Sequence, residues 1–273
     1  MTPRIVRSRV EFVDARAALT GPVNLVPTMG ALHAGHAALI RSARQVGGST
    51  VVTIFVNPTQ FGPNEDLSKY PRTLDADLEL CTAEGVDVVW MPAGQDVYPH
   101  GPVGITVDPG PLGAVLEGAS RFGHFTGVLT VVAKFFGLVQ PAVAHFGEKD
   151  YQQYCLIEQM VADLNMPVTV QPVRTVREPD GLALSSRNRY LSADDRLRAV
   201  GLARALFAGR KAARGGSQAV LEAAAAELVG LDVDYLALRD RTLGEVPEHG
   251  EARLLVAARL GGTRLIDNVA VRL

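Results

Sequence analysis

The sequence predicts an α/β fold, a doubly wound parallel sheet followed by a second, smaller C-terminal α/β domain, divided as residues 1–175 and 176–273. Three observations lead there. From residue 23 onward, short runs rich in Val, Ile and Thr alternate with stretches whose apolar residues recur at helical spacing. The runs are nearly unbroken by polar residues, as strands buried on both faces of a parallel sheet are. After about residue 177 the alternation gives way to two Ala-rich helices and then to further strand-like runs.

In chain order, residues 23–27 form a short strand, followed by a glycine-containing turn and an amphipathic helix. That helix carries Leu39, Ile40, Ala43 and Val46 on one face and stops at Gly47 and Gly48. Residues 50–56 are a β-branched strand. Thr73 reads as the N-cap of the next helix, with Asp75 and Asp77 in its first turn and Gly85 at its end. Strand 86–91, helix 127–139, strand 142–146 and helix 150–164 complete the alternation, which implies right-handed parallel crossovers. The second domain holds helices 192–207 and 218–228 and strands 234–238, 254–260 and 264–269.

Composition narrows the function classes. Lys and Arg number 27 against 29 Asp and Glu, so no global charge draws the chain to nucleic acid or an anionic membrane. Cys81 and Cys155 stand far apart, outside any CxxC pattern, and read as small buried hydrophobes of a reducing compartment. The start carries Arg4, Arg7 and Arg9 without the apolar core of a secretory signal. The apolar stretch 128–139 is interrupted by Lys134 and falls short of the roughly 20 residues a membrane helix needs. A soluble, cytoplasmic protein is expected.

Four polar motifs carry chemistry. Val26-Pro27-Thr28-Met29-Gly30-Ala31-Leu32-His33-Ala34-Gly35-His36 lies between the first strand and its helix, where open α/β sheets bind ligands. Its glycines allow close backbone approach, the helix N-terminus offers amides to a phosphate, and two histidines three apart can donate to one phosphate as its charge grows. A zinc pair is one alternative, although HExxH places its histidines four apart with an intervening Glu and neither holds here, and two solvated loop histidines are another. Phe146-Gly147-Glu148-Lys149-Asp150-Tyr151-Gln152-Gln153 is a second strand-to-helix turn, with Lys149 as a point charge and Asp150 as a ribose or metal partner. Leu184-Ser185-Ser186-Arg187-Asn188 offers hydroxyls and a guanidinium to a polyphosphate, or makes an ordinary turn. Phe55-Val56-Asn57-Pro58-Thr59-Gln60-Phe61-Gly62 follows a buried strand and carries Gln60. All four fall at carboxyl ends of strands or at the domain junction, where one cleft could collect them.

Together these segments closely resemble the pantothenate synthetase (pantoate–β-alanine ligase) family of the HxGH nucleotidyltransferase superfamily. VPTMGALHAGH, IFVNPTQFGPNEDLSKYPRTLDADL, FGHFTGVLTVV, HFGEKDYQQ, TVREPDGLALSSRNRYLS and RLIDN follow in that family's order, from Val23 to Asn268. The resemblance implies a Rossmann-like ATP- and pantoate-binding domain, a C-terminal lid domain and a homodimer. It implies pantoate and β-alanine as substrates, with ATP and magnesium. Matching positions imply ATP contacts at Met29 through His36, Gly147 through Asp150, Val176, and Leu184 through Arg187. They also imply pantoate contacts at Gln60 and Gln153, a proton donor in His36 and a magnesium-associated carboxylate in Asp77; for that reaction His33, Lys149 and Arg187, with His36, are chemically suited to neutralise the phosphates. The chain departs from the family at Phe122, where Pro is usual, and at Ala76 and Leu184, where some relatives carry Asp and Met.

Overall fold

The computed structural model describes residues 2–63, 65, 67–101 and 104–273. Met1, Asn64, Asp66, Pro102 and Val103 lie outside the described residues, so the start and the GPNED stretch are described only in part. The strands are β1 Arg4–Val6, β2 Val23–Thr28, β3 Ser49–Ile54, β4 Val88–Trp90, β5 Val143–Gly147, β6 Thr169–Val173, β7 Asp232–Asp240, β8 Glu251–Leu260 and β9 Thr263–Arg272. The helices are α1 Arg9–Ala17, α2 Ala34–Val46, α3 Leu74–Ala83, α4 Gly94–Val97, α5 Glu117–Ser120, α6 His124–Val139, α7 Tyr151–Asp163, α8 Ala193–Lys211 and α9 Gly216–Ala226.

The chain divides into two compact units, Met1–Gly147 with Leu156–Val173, and Glu148–Cys155 with Arg174–Leu273. The first is built on a six-stranded sheet in the order β1-β4-β3-β2-β5-β6, with every pairing parallel. From β2 the chain runs outward through β3 and β4 on one side and through β5 and β6 on the other. The switch point therefore lies between the carboxyl ends of β2 and β5, where doubly wound sheets leave a crevice for ligands.

Burial explains the pattern. Val26, Val52 and Val89 from three adjacent strands pack with Leu39, Ile40 and Ala43 of α2 and with Cys81 of α3. Each Val, Leu or Ile side chain among them contributes roughly 1.5–3 kcal/mol on full burial. Cys81 and Cys155 are both buried and free, and burial pushes the Cys81 thiol up to about 12. Helix α6 is buried on nearly every side, from Phe125 to Val139. Phe12 of α1 stacks on Trp90 of β4 at 4.2 Å between centroids.

The second unit is a three-stranded antiparallel sheet, β7-β8-β9, covered by α8 and α9. Leu202, Leu206, Val220 and Ala224 of the helices meet Leu254, Val256 and Leu260 of β8.

Two strands escaped the sequence reading for physical reasons. β1 has three residues, of which only Val6 is buried. β6 is an edge strand carrying Pro172, which cannot donate to a neighbour, and its side chains are only half-buried. Thr73 does stand at the N-cap of α3, but its hydroxyl makes no cap bond; it donates instead to Asp77 Oδ1 at 3.0 Å.

Candidate active site

In the first unit, β2 ends at Thr28 and the chain turns through Gly30 and Ala31, at φ 81° and 51°. His33 then caps α2 through its ring rather than through a hydroxyl: its Nδ1 accepts from the Gly35 amide at 3.1 Å. His36, one turn in, returns the contact, its Nδ1 accepting from the His33 amide at 3.2 Å. A nitrogen that accepts carries no proton, so each neutral ring must hold its proton on Nε2. The backbone thus sets both tautomers, and both rings, 4.2 Å apart by centroid, carry their N–H at Nε2. A Cβ at Gly35 would come within 2.9 Å of His33 Nδ1, so only glycine lets that ring lie over the backbone.

Gln60 closes a short 3-10 turn, Pro58–Gln60, beyond β3. Its amide is oriented by Asn57, whose Nδ2 donates to Gln60 Oε1 and to the Gly127 carbonyl, both at 3.1 Å. Tyr98 and Thr59 hydroxyls donate to Asn57 Oδ1 at 2.8 and 2.9 Å, which identifies the oxygen end of Asn57. Gln60 Nε2 is consequently its donating end, and it meets Met29 Sδ at 3.0 Å. Two of the expected site residues, Met29 and Gln60, are therefore in contact.

His124 supports the same turn. Arg121 can only donate, so His124 Nε2 accepts from it at 2.9 Å, and Nδ1–H donates to the Gln60 carbonyl at 2.8 Å. Arg121 in turn forks onto Glu65 at 2.8 and 2.7 Å. Burial, with Arg121 adding to it, pushes His124 down to about 4, and burial alone does the same to His145. Both rings are neutral in the folded protein, while the unfolded chain takes up protons below about 6.5. Folding stability should therefore hold above pH 6.5 and fall as the pH drops from there toward 4, by roughly 2 kcal/mol per ring at about pH 5. Urea unfolding across that range checks this, and a His145→Gln variant should show a shallower loss.

In the second unit, Glu148–Asp150 form a 3-10 turn leading into α7. Asn268 of β9 holds that turn: its Nδ2 donates to the Glu148 and Lys149 carbonyls at 2.9 and 2.8 Å. Arg253 of β8 fixes Asn268 through Nε to Oδ1 at 2.7 Å, and its guanidinium lies 3.8 Å over the Tyr151 ring. Lys149 Nζ reaches Asp150 Oδ1 at 3.4 Å, a partly exposed pair of small energetic weight. Val176 and Leu184 come together, the Leu184 amide donating to the Val176 carbonyl at 3.0 Å. The hairpin so closed delivers Ser185, whose Oγ caps the following turn by accepting from the Arg187 amide at 3.2 Å. Gln153 sits on α7, half-buried, within this unit.

The magnesium role expected for Asp77 does not fit the residues. Its carboxylate is 2% exposed. Oδ2 accepts from the Ala31 amide at 3.0 Å, and Oδ1 accepts from the Leu32 amide at 2.8 Å and from Thr73. Among the described residues no group of three His, Cys, Asp or Glu stands together to hold a metal.

Arg253, Asn57 and His124 were not singled out from the sequence as site residues. Arg253 stands just before the apolar run 254–260, next to no quoted motif, and gave no signal of its own; Asn57 and His124 lay within quoted motifs but showed no partner there.

A doubly wound parallel sheet with two histidines where the turn after β2 meets a helix N-terminus has the architecture of a nucleotide-binding α/β protein. The family model described as pantoate-beta-alanine ligase matches residues 4–270. Pantothenate synthetase from Mycolicibacterium smegmatis is 61% identical over 90% of this chain and 80% of its own length. The Nocardioides enzyme is 54% identical over 99% of this chain and 86% of its own. Among solved structures, pantothenate synthetase from Thermus thermophilus superposes with TM-score 0.92 at 47% identity, over 97% of this chain and 98% of that one. The pantoate-beta-alanine ligase from Francisella tularensis, complexed with beta-gamma ATP and beta-alanine, does so with TM-score 0.83 at 34% identity, over 98% and 97%. The chain belongs to the pantoate–β-alanine ligase family.

Proposed function

We propose that this protein condenses pantoate with β-alanine at the expense of ATP, through a pantoyl-adenylate, releasing pyrophosphate and AMP. Family membership supports the reaction, and the observation that carries it onto named atoms is the tautomer pair of His33 and His36. A pantoate carboxylate oxygen attacks the α-phosphorus, the bond from that phosphorus to the bridging oxygen breaks, and pyrophosphate leaves. Two anions must meet for this: unit charges 4 Å apart repel by about 4 kcal/mol at an effective dielectric near 20. The Nε2–H groups of His33 and His36 donate to phosphate oxygens as charge develops there, with His36 as principal donor. Lys149 and Arg187 add positive charge to the nucleotide, and the amides from Met29 to His36 and Gly147 to Asp150, with Val176, Leu184, Ser185 and Ser186, hold it.

In the second step the neutral amine of β-alanine attacks the acyl carbon, the acyl–oxygen bond breaks, AMP departs and the amine proton passes to solvent. A C-terminal lid that excludes water suits an intermediate prone to hydrolysis. Magnesium belongs to this reading as a companion of the ATP phosphates, and no step is assigned to it through Asp77. A cytoplasmic homodimer completes the reading, on the strength of the resemblance.

Gln60 and Gln153 are assigned to pantoate. A neutral amide orients a carboxylate without the ion pairing that would lower its nucleophilicity. With Oε1 taken by Asn57, Gln60 offers Nε2–H. Gln60→Arg is expected to bind pantoate at least as tightly and to adenylate it about 10-fold more slowly or worse; adenylation at wild-type speed would remove this account of the glutamine.

The deciding experiment mixes the protein with ATP, magnesium and pantoate, adds β-alanine and follows AMP. AMP that requires both organic substrates is the expected result. A nucleotide adenylyltransferase, which shares the two-histidine turn, would leave the nucleotide on its substrate and release no AMP.

A further inference from the structure

We infer that Asp77 is a positioning residue for the two histidines: with Thr73, its carboxylate holds the turn at residues 30–32 in the backbone conformation from which His33 and His36 project. The effect on catalysis rests on the function proposed above; the clamp itself rests on geometry. Asp77 lies on α3, more than forty residues along the chain from the turn it grips, and accepts from two consecutive amides, Ala31 at 3.0 Å and Leu32 at 2.8 Å. Between Thr28 and His33 those amides are the ones that must be aligned if His33 is to reach the helix N-terminus. Ala31 sits at φ 51°, a left-handed conformation that an alanine holds only where its surroundings impose it. Gly30 precedes it at φ 81°, and a Cβ there would stand 3.0 Å from Asp77 Oδ2. The turn is thus wrapped on the carboxylate.

The donor set also separates this role from metal ligation. A carboxylate has about four acceptor positions. Two amides and the Thr73 hydroxyl occupy three of them, and among the described residues no cation pairs with Asp77. The charge is compensated by the very N–H groups it orients. Magnesium requires octahedral geometry and keeps most of its waters, which a carboxylate buried and engaged in this way does not provide for.

Asp77→Asn keeps the shape but turns one acceptor into a donor facing an amide N–H. Rapid-quench measurement of enzyme-bound pantoyl-adenylate is expected to show the rate constant of its formation down by about 30- to 100-fold at undiminished amplitude. The half-saturating magnesium concentration should stay within about 2-fold of wild type, where loss of a ligand would raise it far more. Thr73→Val should slow the same step by about 3- to 10-fold, and Thr73→Ser should restore it. A defect in Asp77→Asn that is abolished by added magnesium would overturn the inference in favour of ligation. So would an unchanged rate constant, whether at full or reduced amplitude, the latter marking a folding defect alone. Should Asp77→Asn fail to fold, an unaltered rate in Thr73→Val decides against the clamp. A wild-type protein that forms no adenylate would sink the functional reading instead. The clamp is then judged by amide hydrogen exchange at Ala31 and Leu32, which is expected to accelerate in Asp77→Asn, and unchanged protection there would refute it.

Discussion

His36→Ala is expected to slow pantoate-dependent pyrophosphate release, measured without β-alanine, by about 10²- to 10³-fold, the usual cost of deleting one preorganised donor to a transition-state oxygen. The loss should be confined to adenylation. Aminolysis of chemically supplied pantoyl-adenylate by β-alanine, which breaks no phosphorus–oxygen bond, should proceed close to the wild-type rate. His36 Nδ1 also accepts from the His33 amide, so the substitution removes a cap worth about 1 kcal/mol of stability. That is too little to unfold a domain of ordinary stability and cannot produce a rate loss of this size. Wild-type adenylation in the variant would take His36 out of the mechanism.

Arg177→Ala should be the most damaging single change to the second unit. Arg177 forks onto Asp267 at 2.6 and 2.9 Å and donates to the Gly181 and Asn268 carbonyls at 2.9 and 3.2 Å. Asp267 is 2% exposed. Burial raises its carboxyl above the ordinary range even against the opposing pull of Arg177. Removing the guanidinium leaves a buried charge without its partner, at a cost of about 3–5 kcal/mol near neutral pH. The sign of the pH effect follows. A carboxyl raised in the folded state is favourable to folding while protonated and becomes unfavourable as the pH rises through its folded value. Without Arg177 that value rises further, so the penalty should shrink on acidification. Denaturant unfolding of wild type and variant at about pH 8 and about pH 5 measures it; an equal difference at both would show that Asp267 does not carry the effect. Because Asn268 follows Asp267 on β9 and holds the Glu148 and Lys149 carbonyls, the variant should also weaken ATP binding.

The parts of this molecule that could be read in the sequence are those governed by near neighbours. The valine-rich runs of β2, β3 and β4 declare themselves because a strand covered on both faces has no polar register. The stop at Gly47, the Ala-rich helices of the second unit and the two-histidine turn are equally local. β1 and the edge strand β6 were missed because a three-residue strand and one carrying Pro172 have too little pattern of their own; they exist because β4 and β5 offer free edges. Thr73 shows the limit of local rules. It stands where an N-cap belongs, yet its hydroxyl serves Asp77, since two amides arriving from the β2 turn have already drawn that carboxylate inward.

By itself the sequence determined the α/β class, the alternation of strands and helices along the chain from β2 to α7, and the ligase family. Only the tertiary structure decided which end of Gln60 donates and whether Asp77 faces a metal or a backbone, whereas the tautomers of His33 and His36 are set close by, by the Gly35 and His33 amides. The physical reason is one of range. Periodicity and caps are written within a few residues, whereas the direction of a polar group such as Gln60 or Asp77 is set by whatever donor or acceptor the fold places opposite it, here from Ala31, Tyr98, Gly127 and Asn268, tens of residues or more away along the chain.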